Sequence, residues 1–134
     1  MSAKLFVSLP TADLDRSKTF YAGLGATLNP EMSDDNSACF LWDEDIAIMM
    51  LKREYFASVT EKQIVDPKLS AQMQLAFMQP SREAVDSFVD AGLAAGGTEH
   101  GAAEDHGFMY TRDVEDPDGN VLAFMHASDQ PAQV

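Results

Sequence analysis

One order of predicted elements occurs twice in this chain, and it limits the possible folds more than any other feature of the sequence. A strand, a helix and three further strands are predicted over residues 4–51, and the same order is predicted again over residues 72–126. Each helix begins shortly after a proline that ends the preceding strand, with Asp13 and Ser81 as N-cap residues. Few residues are identical between the halves, so only the pattern repeats. The chain is therefore predicted to contain two βαβββ units.

The rest of the chain fits a single domain over residues 1–127. Its 134 residues are within the usual length of one domain. Residues 52–71 join the two units, and this connection is long for a compact domain, which favours a lid or a binding loop. Residues 128–134 are polar and are predicted to form a flexible tail.

The chain is strongly acidic, with 22 Asp and Glu residues against nine Lys and Arg residues and a net charge of −13. Such a charge repels phosphates, so no nucleic acid or membrane partner is expected. Most of the acids fall in predicted caps and turns, and we expect them on the surface. Cys39 is the only cysteine, which excludes an internal disulfide and a cysteine-based zinc site. No signal peptide and no apolar stretch of about 18 residues is recognisable, so a cytoplasmic location is expected.

Three segments carry a resemblance to a known family: residues 6–21 (FVSLPTADLDRSKTFY), 104–110 (EDHGFMY) and 115–120 (EDPDGN). Together with the repeated pattern, they resemble the vicinal oxygen chelate superfamily of glyoxalases, bleomycin-resistance proteins and extradiol dioxygenases, and in particular its glyoxalase-like subgroup of unknown substrate. The resemblance implies an α+β fold in which two βαβββ units form a cup-like mixed β-sheet cavity with helices packed outside. It also implies a homodimer, and it leaves open whether the units pair within one chain or exchange between chains.

The resemblance also implies where a metal would be held. In metal-dependent members, four strands give His or Glu ligands to a divalent ion that acts as a Lewis acid. Here the corresponding positions hold Phe6, Met49 or Met50, Met73 or Gln74, and Ala123. Gln74 is the only one of these with a suitable ligand atom, and it could not hold an ion alone. We therefore expect no metal and no other cofactor.

The cavity implied by the fold is predicted to bind a small organic molecule through apolar, aromatic and a few polar side chains. Methionine and phenylalanine adapt to irregular ligands, although most of them are equally explained by core packing. Tyr110 and Arg112 share a strand face and could hold a carboxylate or carbonyl oxygen, unless Arg112 pairs with nearby acids. The candidate ligand-binding residues are Phe6, Ser8, Phe40, Trp42, Met50, Met73, Phe108, Tyr110, Arg112 and Ala123.

Two classes of function remain open. Without a metal, the chain is expected to bind or sequester a small organic molecule, as bleomycin-resistance proteins do. The alternative is a lyase, isomerase or dioxygenase of glyoxalase type. That activity needs either acid/base chemistry, for which His106 is the candidate catalytic residue, or a metal at an unusual site such as the loop of His100 and His106.

Overall fold

The structure, a computed structural model, describes residues 3–128. All but the first residue of the predicted tail lies outside the described residues. They contain nine strands, three helices and one 3₁₀ turn, and the predicted elements occur among them in the predicted order.

The first unit forms a four-stranded sheet with one long helix. Its strands are β1 (Leu5–Thr11), β2 (Thr27–Asn29), β3 (Ser37–Leu41) and β4 (Ile46–Lys52), and its helix is α1 (Leu14–Gly23). The strand order is β1-β4-β3-β2, with β1 parallel to β4 and the other pairs antiparallel. Pro10 does not end β1 as predicted, because β1 is an edge strand and the missing N–H of a proline is tolerated there.

The second unit repeats this topology. It contains β5 (Gln74–Met78), α3 (Arg82–Ala94), β6 (Thr98–Glu99), β7 (Glu104–Asp105), β8 (Met109–Glu115) and β9 (Val121–Ala127). The strand order is β5-β9-β8-β6, and β7 also pairs with β8. A short helix, α2 (Arg53–Ser58), opens the connection between the units. The predicted α+β fold of two βαβββ units is confirmed, with the two-residue β7 as an addition that sequence periodicity is too short to reveal.

The helices begin at the predicted caps. The Asp13 carboxylate accepts a hydrogen bond from the Arg16 N–H, and the Ser81 hydroxyl accepts one from the Ala84 N–H. Each side chain satisfies a donor that the first turn of a helix leaves unpaired. Since Asp13 and Ser81 occupy the same position in the two units, Phe6 on β1 corresponds to Gln74 on β5, rather than to Met73.

The two units share one core, which lies between α1, α3 and the strands beneath them. Trp42 follows β3 of the first unit, yet its ring stacks on Phe77 of the second unit at 4.2 Å between ring centroids. At the end of α3, a Cβ at Gly97 would lie 2.6 Å from Cε1 of Phe20 and 2.7 Å from the carbonyl oxygen of Glu115. Only glycine fits this approach between the units.

A buried polar cluster also joins the units, and it corrects the expectation that the turn acids lie on the surface. Asp116 and Asp118, between β8 and β9, are both buried. The Asp118 carboxylate accepts hydrogen bonds from the Thr11 hydroxyl at 2.6 Å and from the Ser17 hydroxyl at 3.3 Å. Asp116 accepts one from the Tyr21 hydroxyl at 2.7 Å. These carboxylates are tolerated in the interior because each has several donors.

Candidate functional site

Each sheet has a helix face, which packs against α1 or α3, and an open face on the opposite side, which neither of these long helices covers. Residues paired across neighbouring strands lie on the same face of a sheet. On the first sheet, the core residues Leu9, Phe40 and Met50 identify the helix face. The open face of the first sheet therefore carries Phe6, Ser8, Cys39, Leu41, Ala47, Met49 and Leu51.

The second sheet divides in the same way. Phe77, Val114, Leu122 and Phe124 belong to the core and identify the helix face. The open face of the second sheet carries Gln74, Ala76, Met78, Glu104, Thr111, Asp113, Glu115, Val121, Ala123 and Met125.

Each position that the resemblance assigns to a metal ligand has a candidate residue on an open face. These residues are Phe6 and Met49 on the first sheet, and Gln74 and Ala123 on the second. Three of these side chains have no atom that binds a hard or borderline divalent ion. Within residues 3–128, no three His, Cys, Asp or Glu residues come together in a way that could hold a metal. The residues present do not fit the divalent ion of the metal-dependent members.

The predicted ligand-binding residues do not form one site within the chain, because they lie on different faces of the two sheets. Phe6 and Ser8 lie on the open face of the first sheet, Ala123 lies on that of the second but is buried, and Met73 lies just before β5, beside a cleft of about 310 Å³ under the connection. Phe40 and Met50 are fully buried in the core and have no exposed surface to offer a ligand. The ring of Trp42 is covered by the stacked aromatic cluster of Phe77, Phe88 and Phe124.

Tyr110 and Arg112 share a face as predicted, but it is the helix face. The Tyr110 hydroxyl donates a hydrogen bond to Asp86 of α3 at 2.6 Å, and this bond raises the pKa of Tyr110. The Arg112 guanidinium donates to Glu99 at 3.0 and 3.1 Å, and to Asp86 at 3.0 Å. The alternative that Arg112 pairs with nearby acids is therefore the one the structure supports. Both side chains fasten α3 to its sheet.

His106 and Phe108 lie in the exposed loop between β7 and β8. The backbone N–H of His106 donates to the Met109 carbonyl at 2.8 Å, and no hydrogen bond involving its ring occurs within the described residues. His100 instead contacts Glu115, at 2.8 Å between Nδ1 and Oε2. The proposed metal site of the His100 and His106 loop therefore has no assembled ligand set in the described part of the chain.

Asp113 is the functional candidate that sequence reasoning missed. It lies on the open face of β8, and burial raises the pKa of its carboxyl. Its Oδ1 is buried and has no hydrogen-bond partner within residues 3–128. The alternation of side chains along β8 could have identified Asp113. Val114 is a core residue, and Tyr110 and Arg112 are at even spacing from it, so they face the helix. Asp113 is at odd spacing and faces the other way.

Comparison with known proteins supports the fold. A hypothetical protein from S. aureus superposes with a TM-score of 0.78 at 20% identity, covering 95% of both chains. A glyoxalase/bleomycin resistance protein/dioxygenase family enzyme from Burkholderia phytofirmans has a TM-score of 0.75 at 20% identity, covering 94% of this chain and 99% of that one. A bleomycin resistance determinant encoded on the transposon Tn5 has a TM-score of 0.65 at 18% identity, covering 96% of this chain and 100% of that one.

Other comparisons bear on class and family. No curated protein matches the chain. No helix within residues 3–128 is long and apolar enough to cross a membrane. The sequence profile of the glyoxalase/bleomycin resistance protein/dioxygenase superfamily matches residues 5–124, which is most of the chain and includes both units. The chain therefore belongs to the glyoxalase/bleomycin resistance protein/dioxygenase superfamily.

Proposed function

We propose that this protein binds a small organic molecule on the open faces of its two sheets, without a divalent metal. One observation carries the proposal: the open faces combine exposed apolar side chains with Phe6, Met49, Gln74 and Ala123 at the family's ligand positions. Such a surface suits an organic ligand and lacks the donors that a metal needs.

Exposed apolar side chains are found on both open faces. Phe6 and Leu41 on the first sheet are 44% and 36% exposed, and Met78 on the second sheet is 59% exposed. Phe6 and Leu41 lie in one row on either side of Ala47, and a contiguous apolar patch often marks a binding surface. Methionine and phenylalanine give such a surface shape without fixed hydrogen-bonding demands, which favours an apolar or partly aromatic ligand.

We infer that a second copy of the chain completes the site. The core lies between the helix faces, so the two open faces of one chain point away from the shared core rather than towards each other. One chain therefore supplies two separate walls. A homodimer that placed the open face of one copy over an open face of the other would bury Phe6, Leu41 and Met78 and would enclose a ligand between sheets.

The proposal is tested by thermal-shift screening of a library of small aromatic and aliphatic compounds. We expect stabilising compounds to raise the melting temperature equally in EDTA and with added Zn²⁺, Ni²⁺ or Mn²⁺, because ligand binding to the native state adds to stability. Phe6→Ser should remove the shift, whereas Val59→Ser, an exposed position on the connection, should retain it.

Two results would contradict the proposal. One is stabilisation that requires an added divalent ion and disappears in EDTA. The other is a set of stabilising compounds whose effect persists in Phe6→Ser and is lost in Val59→Ser.

The alternative function, catalysis through His106, has less support. A catalytic histidine is usually held in place by a second group that orients its imidazole ring. Asp105 lies next to His106, but its carboxylate is engaged by Arg82 at 2.6 and 2.8 Å. If an activity is found, an unchanged rate in His106→Ala would exclude this residue.

A further inference from the structure

The two open faces differ in charge. The open-face residues of the first sheet are all uncharged, with Phe6, Leu41 and Met49 as the larger ones. The open face of the second sheet carries three carboxylates, Glu104, Asp113 and Glu115, and neither lysine nor arginine occurs among its strand residues. A molecule held between such faces meets one apolar wall and one acidic wall.

Asp113 stands at the centre of the acidic wall. It pairs with Ala123 on β9, and Ala123 pairs with Ala76 on β5, so small side chains continue the row away from the carboxyl group. The rows of paired residues on either side have larger side chains. They contain Thr111, Met125 and Met78 on one side, and Glu115, Val121 and Gln74 on the other.

The other carboxylates have different surroundings. Glu115 contacts His100 at 2.8 Å, and Glu104 lies at the short edge strand β7 and is exposed. No donor among the described residues bonds the buried Oδ1 of Asp113, and the backbone carbonyl of Asp113, rather than its carboxylate, accepts the His100 N–H at 3.0 Å.

A buried carboxylate oxygen without a donor is unusual in a folded protein. The Oδ1 of Asp113 is such an atom within residues 3–128. Burial raises the pKa of this carboxyl, His100 lowers it and Glu104 raises it. No described residue donates a hydrogen bond to this oxygen, so a donor brought by a ligand would satisfy it.

We propose that Asp113 selects the ligand, and that the molecule bound on these open faces carries a protonated amine or amidine group that donates to the Asp113 carboxylate. The inference rests on the proposed binding function and narrows its ligand class to organic cations with an apolar or aromatic body. The apolar body faces the uncharged wall around Phe6, and the cationic group faces the acidic wall.

A matched pair of probes tests the charge requirement. Phenethylamine and phenethyl alcohol share an aromatic body and differ in whether they carry a positive charge. Binding of each is followed by amide NMR shifts at Ala123 and Phe6 in the wild-type protein, in Asp113→Asn and in Asp15→Asn. Both variants remove one negative charge and keep the side-chain shape, but Asp15 is exposed on α1, away from the open faces.

We expect phenethylamine to bind more tightly than phenethyl alcohol, and Asp113→Asn to weaken the amine by about tenfold or more, since a charge-assisted hydrogen bond is lost. The alcohol should bind Asp113→Asn and the wild-type protein within about twofold, and Asp15→Asn should leave both probes within the same range.

The failures of the two proposals are distinguishable. Suppose that both probes shift the amide signals of Ala123 and Phe6. If Asp113→Asn then leaves the affinity for the amine unchanged, or weakens the binding of both probes equally, the role of Asp113 is overturned and binding on the open faces stands. If neither probe shifts these amides, the proposed binding function is overturned and the inference with it.

Discussion

At the scale of single residues, the junction of the two units depends on a buried carboxylate with many donors. Asp116 accepts hydrogen bonds from the backbone N–H groups of Asp118, Gly119 and Asn120, from the Asn120 side chain, and from the Tyr21 hydroxyl. The pKa of Tyr21 is raised, first by burial and then by Asp116, so this hydroxyl remains a donor. The Asp-Pro-Asp-Gly turn is thus more than a hairpin: its carboxylates connect the second unit to the first.

We predict that Tyr21→Phe lowers the free energy of unfolding by about 1–3 kcal/mol, because Asp116 loses a buried donor. Chemical denaturation measures the change. Tyr55→Phe, at an exposed position on α2, is the control and should stay within about 0.5 kcal/mol of the wild-type protein. Equal stability of Tyr21→Phe and Tyr55→Phe would show that the hydrogen bond to Asp116 contributes nothing.

Prediction from sequence worked for residue types with a strong local role, and less well for the direction of side chains. The caps at Asp13 and Ser81 follow from local chemistry. The sequence predicts that Phe40 and Met50 contact a ligand, but both lie in the core. Alternation shows which residues share a face, but it does not show which face a helix covers, because that depends on packing between elements distant in sequence.

At the scale of elements, β8 is a strand for which alternation alone does not show which face the helix covers. Its helix-face residue Arg112 has a side chain only 13% exposed and contacts Asp86, Asp90 and Glu99. The bond to Glu99 is the largest cause that raises the pKa of Arg112, so the guanidinium remains charged. Its role is to hold α3 and β6 against β8.

We predict that Arg112→Met lowers the free energy of unfolding by about 1–2 kcal/mol, and that it leaves ligand affinity on the open faces unchanged. The cost is moderate because Asp86 and Asp90 are largely exposed and water screens their charges. Urea denaturation and the phenethylamine titration measure the two effects. A tenfold loss of ligand affinity in a variant of normal stability would instead show that Arg112 contributes to ligand binding.

At the scale of the whole molecule, the two units meet through their helix faces, and neither α1 nor α3 covers the open faces. Repetition of the pattern predicts two units, but not how they are placed against each other. That placement depends on contacts such as Trp42 with Phe77 and Gly97 with Phe20, which join residues far apart in sequence. The same placement is the basis of the proposal that a second copy completes the site.

We predict that the protein is a homodimer in solution and that Phe6→Glu shifts it to the monomer, since a charge on the apolar open face opposes burial against a second copy. Light scattering coupled to size-exclusion chromatography measures the mass. Val59→Glu adds the same charge on the connection and should remain dimeric. A monomeric wild-type protein at micromolar concentration would contradict the proposed shared site.

Methionine methyl NMR in EDTA is the sharpest test of whether ligands bind on the open faces without a metal. Met49, Met78 and Met125 lie on open faces, and Met50 is fully buried on the helix face of β4. With phenethylamine added, we expect the Met49 and Met125 methyl signals to shift while the Met50 signal stays in place. Shifts at Met50 alone, or shifts that occur only after a divalent ion is restored, would contradict this expectation.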